Sequence, residues 1–216
     1  MNSFLLALLL VTPAQQNYSA KSLTAENTIL YEEIFDQAIR NCPNARPEKV
    51  DPGLLWELIE VEKKFKVPNK LKGMVLAAAC RESGYNPLAE GDHKFSRSKK
   101  RPMAIGILQM WKFYERVYPG LDRKIPKSAA EGWMKHIVSK IPKVKRICKY
   151  KTKEKVWIAA WVTGIRAPKA GGRCAEKPLH LKILKTWHRN IKRERLEERE
   201  RHYMPFDRTI KEGDGC

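Results

Sequence analysis

Glu82 is the residue whose type and address first suggest chemistry. It stands in the run Arg81, Glu82, Ser83, Gly84, Tyr85, Asn86, Pro87, directly after an apolar stretch that begins at Leu71. Leu71, Val75, Ala78 and Glu82 follow one another at spacings of four, three and four, which puts all of them on one helical face. Gly84 and Pro87 stop such a helix, so the carboxylate falls in its last turn. The negative end of the helix dipole and partial desolvation both disfavour a charged carboxylate there, and a proton donor near neutral pH needs that help. The plainer alternative is that Glu82 reaches solvent or pairs with Arg81 or another base.

A second polar residue sits where it must be explained. Gln109 interrupts the nearly continuous apolar run from Met103 to Trp111. A buried amide needs hydrogen-bond partners, so Gln109 either anchors local backbone or faces a polar ligand. Other chemistries lack their spacing. None of His93, His136, His180, His188 and His202 lies in a His-Glu-x-x-His arrangement, and Cys42, Cys80, Cys148, Cys174 and Cys216 include no pair at metal-finger spacing. The expectation is no metal and no cofactor. In an exported chain these cysteines suggest two disulfides and one leftover thiol; Cys148 with Cys174 is the preferred pair, and Cys216 the odd one.

The elements that must position Glu82 are helical. Thr24 is a cap for a helix to about Arg40, with Leu30, Ile34 and Ala38 on one face. Asp51 followed by Pro52 starts a second, carrying Leu54, Leu55, Leu58, Ile59 and Glu62 at helical spacing. After the Glu82 helix, Asn86 to Met103 reads as a basic polar loop with room for one short ribbon, and Met103 to Tyr118 as an apolar element. Ser128 and Glu131 form a capping-box pattern for a helix with Trp133 and Ile137. Lys140 to Lys155, with eight basic residues and one acid, reads as a basic surface loop. Thr152 or Lys153 opens a helix with Val156, Ala159 and Ala160, and a last helix from Pro178 carries Leu179, Ile183, Trp187 and Ile191. Beyond Arg193 it becomes an exposed charged extension. The fold class is mainly α.

Lys and Arg total 43 against 24 Asp and Glu, a net charge of +19, so the expected partner is acidic. Phe4 to Val11 is an unbroken apolar run followed by Thr12, Pro13 and Ala14, a pattern that reads as a secretory signal over residues 1–14. It is too short for a permanent anchor, which takes roughly 20 residues. The expected organisation is then an N-terminal helical extension over 15–66, a main domain over 67–192 and a charged tail over 193–216. The expected location is periplasmic or secreted. That location argues against specific nucleic-acid binding, which rests on charge alone.

Glu82, Ser83, Gly84, Tyr85, Asn86 and Pro87, followed by Gly106, Ile107, Leu108, Gln109 and Met110, resemble the two leading motifs of the soluble-type, lysozyme-like lytic transglycosylases. The resemblance covers roughly Leu71 to Gly164. In the third motif of that family, Ala-Tyr-Asn-Ala-Gly, this chain has Ala160, Trp161, Val162, Thr163 and Gly164, so Trp161 stands for the Tyr and Val162 for the Asn. The resemblance implies a lysozyme-like helical domain that cleaves between N-acetylmuramic acid and N-acetylglucosamine in peptidoglycan, leaving 1,6-anhydro ends. Glu82 would be acid and base, and Ser83, Tyr85, Gln109, Met110 and Trp161 the substrate contacts. The partners would be peptidoglycan strands and other anionic envelope polymers, met by a monomer. Two other readings remain: a lysozyme-type hydrolase, with Glu90 or Asp92 placing water, and a noncatalytic wall-binding protein of the same fold.

Overall fold

Helices follow wherever apolar spacing, a cap and a stop coincide. The computed structural model describes residues 13–95, 101–150, 152–162 and 179–203. In chain order these form α1 (Pro13–Arg40), α2 (Pro52–Lys63), α3 (Met74–Ser83), β1 (Glu90–Gly91), β2 (Ala104–Ile105), β3 (Met110–Trp111), α4 (Phe113–Val117), α5 (Pro126–Cys148), α6 (Lys153–Val162) and α7 (Leu179–Tyr203). The protein is mainly α, as expected. Residues 1–12 of the expected signal, and the tail beyond Tyr203, lie outside the described residues. Among those described, no helix is long and apolar enough to cross a membrane.

α3 is the centre of the packing. Met74 to Cys80 are all buried, and the small Ala77, Ala78 and Ala79 let neighbouring helices approach closely. α2 and α7 pack directly on it, α1 packs on α7, and α5 joins α2 to α6. One core therefore runs from Tyr31 and Ile34 of α1 through Leu55 and Leu58 of α2 to Leu184, Trp187 and Ile191 of α7. The charged end of α7 docks on α1, where Glu194 accepts from Gln37 and Arg40, and Arg195 pairs with Glu33.

The first residue of α3 has no cap of its own, because Gly73 is left-handed (φ 86°) and offers no side chain. Glu62 of α2 does the capping instead. Its carboxylate accepts from Gly73 N at 2.6 Å, Val75 N at 2.9 Å and Tyr31 Oη at 3.1 Å. These donors and the Lys72 charge favour the ionised form, but complete burial outweighs them and raises the carboxyl to about 7. The unfolded chain then ionises first as pH rises from about 4.5 to about 7, so this group's contribution to stability is full below that window and falls through it, by about 3 kcal/mol. Urea unfolding at about pH 5 and about pH 8 checks this. Glu62→Gln should flatten the dependence, and an equal pH slope in both proteins would contradict it.

Four expectations need correction. α1 begins at Pro13, so Thr24 lies inside the helix and does not cap it; residues 13–23 contain no glycine or internal proline to stop it. Lys140 to Cys148 is not a surface loop but the second half of α5, in which Ile141, Val144 and Cys148 continue the buried stripe of Ile137 past an internal Pro142. The capping box at Ser128 is not formed; α5 opens at Pro126, and Ser128 Oγ accepts from Asp122 N. The apolar element from Met103 is broken into β2, β3 and α4, because Gly106 (φ 77°) and Gln109 (φ 45°) turn the chain between the strands. The strands form an antiparallel ribbon in the order β1-β2-β3.

Cys42 and Cys80 are joined by a disulfide that ties the end of α1 to α3. Cys148 is also disulfide-bonded; the expected pairing with Cys174 falls on a residue outside the described ones.

Candidate active site

Three segments fix the end of α3 and with it Glu82. Gly84 closes the helix in the left-handed conformation (φ 59°), its N–H bonding back to Cys80 O. Asn44 Nδ2 donates to Arg81 O at 2.9 Å from the chain that follows α1. Ser83 Oγ donates to Ile107 O at 2.8 Å and lies 3.1 Å from Ala79 O, which links α3 to the turn between β2 and β3.

That turn is held in place by its own amide. Gln109 Nε2 donates to Ala89 O and Gly106 O, both at 2.9 Å. Arg123 adds a buried clamp: Nη1 donates to Met110 O at 2.8 Å and Met103 O at 3.2 Å, and Nε to Glu115 at 2.8 Å. Trp111 Nε1 donates to Asp92 Oδ2 at 2.8 Å, joining β3 to the loop after β1.

Between this ribbon and helices α3, α5, α6 and α7 lies a cleft of about 320 Å³. Glu82 is on its wall, together with Gln109, Trp111, Tyr114, Trp133, His136, Lys140, Trp161 and His180. Among the described residues lining it, Glu82 is the sole carboxylate. Its side chain is 37% exposed, and Oε1 lies 2.5 Å from His180 Nε2. His180 in turn stacks on Trp161, with centroids 5.5 Å apart and planes inclined by 26°. Trp133 meets Trp161 edge-on, and Tyr114 and Tyr118 meet His136 edge-on. Lys140 is buried, which pushes its ammonium down to about 8.

No family model, curated protein or solved structure matches this chain. The cleft is therefore read from its own chemistry.

Of the residues singled out from sequence, Glu82, Gln109 and Trp161 line this cleft together. Ser83, Tyr85 and Met110 do not line it. Ser83 is occupied by backbone carbonyls, Tyr85 is buried with a positive φ of 68° and a buried hydroxyl without a partner among the described residues, and the Met110 carbonyl is taken by Arg123. Glu90 and Asp92 are not on the cleft wall either. His180, Lys140, His136, Trp133 and Tyr114 were not picked out by motif. Trp133 and His136 share the face of α5 that carries Ile137 and Lys140, at spacings of three and four, so the helical face was readable once α5 was known to be continuous.

Among the described residues no group of His, Cys, Asp and Glu is arranged to hold a metal ion. What the cleft offers, among the described residues, is a single carboxyl, an imidazole in contact with it, a cationic nitrogen and flat aromatic walls. Such a set suits acid–base chemistry on a polar, ring-shaped substrate that carries negative charge.

Proposed function

We propose that this protein is a peptidoglycan lytic transglycosylase of lysozyme-like fold, exported to the cell envelope. The observation that carries the reading is a cleft walled by aromatic rings in which Glu82 is the sole carboxylate among the described residues. An ordinary glycosidase needs two carboxylates about 5–9.5 Å apart, one of them to attack or to activate water. Substrate-assisted cleavage needs one. Glu82 as the acid protonates the glycosidic oxygen while the substrate acetamido group supports the sugar carbon that loses it. Glu82 as the carboxylate then takes the proton of the sugar 6-hydroxyl, which closes on that carbon and gives the anhydro end.

The remaining walls fit the same polymer. Trp111, Trp133 and Tyr114 offer faces and edges to the apolar sides of sugar rings. Lys140 and the net charge of +19 favour the carboxylates of the peptide stems. The mainly helical architecture with a small ribbon at the cleft edge is in keeping with a lysozyme-like domain.

Digestion of purified sacculi with mass analysis of the products tests this. Muropeptides with 1,6-anhydro ends are expected. Reducing ends would make the protein a hydrolase, and no released muropeptide would favour the noncatalytic wall-binding reading.

A further inference from the structure

His180 approaches Glu82 from the start of α7, a helix whose own sequence pattern announces only a core stripe. The contact is one-sided. Nε2 lies 2.5 Å from Glu82 Oε1, whereas Nδ1 is buried and has no hydrogen-bond partner among the described residues. The ring is held by its stack on Trp161, which Trp133 braces edge-on.

An imidazole so placed has three protonation states, and they differ in what they leave unsatisfied. With the proton on Nδ1, a buried N–H has no acceptor, and the bare Nε2 can meet Glu82 only if the acid turns its own proton away from the cleft. With both nitrogens protonated, the ring gains an ion pair with a charged Glu82, but the same buried N–H is stranded. With the proton on Nε2 alone, His180 donates to Oε1, and Nδ1 is left with only an unused lone pair. The third state is the least costly, because it buries no unpaired donor.

We infer that His180 is held as the neutral Nε2–H tautomer and positions the Glu82 carboxyl, fixing Oε1 as an acceptor so that Oε2 is the oxygen that gives and takes the catalytic proton. The inference rests on Glu82 being the acid and base proposed above. His180 is a positioning residue: it exchanges no proton with the sugar and keeps the acid from spending its proton on a neighbour.

Two measurements on the full chain test it. Long-range 1H–15N correlation of 15N-histidine-labelled protein near neutral pH should show a ring protonated at Nε2 and bare at Nδ1, assigned to His180 by its loss in His180→Gln. A ring protonated at Nδ1, or at both nitrogens, overturns the inference. On peptidoglycan, His180→Ala should lower kcat by about 100-fold with KM little changed, and His180→Gln, whose amide keeps an N–H donor, should recover to within about tenfold of wild type. Wild-type kcat in His180→Ala, a loss confined to KM, or equal impairment of both variants would overturn it. If His180→Ala does not fold, the spectrum and His180→Gln decide. If the wild type cleaves no glycan, the functional reading fails, and the spectrum alone decides the tautomer.

Discussion

Replacing Glu82 with Gln is expected to cut glycan release from purified peptidoglycan by about 10³-fold while leaving the thermal unfolding midpoint nearly unchanged. The amide has the size of the acid and offers both a carbonyl and an N–H to His180 Nε2, so the contact at the end of α3 survives whichever of the two donates. What it lacks is a proton to give and a basic oxygen to take one back. Both halves of the proposed cycle stop together. Equal turbidity loss with wild type and Glu82→Gln would remove Glu82 from the chemistry, and inactivity of both would count against an enzyme altogether.

The second large effect concerns stability and lies two residues further on. A Cβ at Gly84 would meet Asn44 O at 2.1 Å, and the backbone there has φ +59°. Gly84→Ala therefore combines a left-handed conformation, worth about 1–2 kcal/mol against an L-residue, with a clash against main chain that no rotamer can relieve. A loss of about 3 kcal/mol or more is expected in urea unfolding. Gly120 supplies the control, since it has φ +84° but nothing within 4 Å of the added atom. Gly120→Ala should cost only the conformational part, about 1–2 kcal/mol. If the two variants lose the same stability, the contact between Asn44 and Gly84 is not what fixes the end of α3.

How far these features could be read from the chain depends on whether their causes are local. The stop after Glu82 is local, because Gly84 and Pro87 act through their own backbone. The cap at Asp51 is local too, and Asp51 Oδ1 accepts from Gly53 N at 2.8 Å as the Asp-Pro start of α2 suggests. The helix around Trp157 and the stripe Trp187 and Ile191 of α7 follow from spacing alone. The second half of α5 was hidden because Pro142 and a run of lysines mask an apolar stripe of few members. The ribbon strands, two residues each, are too short for alternation to register. Gln109 was legible as a residue needing partners, and it finds them in local backbone, the first of the two roles open to it, while also lining the cleft.

The residues around Glu82 were less legible for a different reason. His180 and Lys140 acquire their meaning from what folds against them, and a histidine or lysine in a helix has no pattern that declares a cleft. The same holds for Glu62, whose spacing places it on the apolar face of α2 but does not say that it caps α3 from outside. Charge pattern read Lys140 as solvated, whereas tertiary packing buries it.

The span between Glu82 and His180 bears on when the cleft comes into being. The two residues are 98 positions apart, and α7 reaches back still further, with Arg195 bonding Glu33 across 162 positions. At about 5–20 residues per second, His180 is synthesised roughly 5–20 s after Glu82. Until α7 docks, α3 lacks one of its main packing partners and Glu82 lacks its imidazole. Contacts of such long range also form late on loop-closure grounds. The carboxyl is thus laid down early in synthesis, and the cleft around it is finished near the end of folding, so a nascent chain carries the residue well before it carries the site.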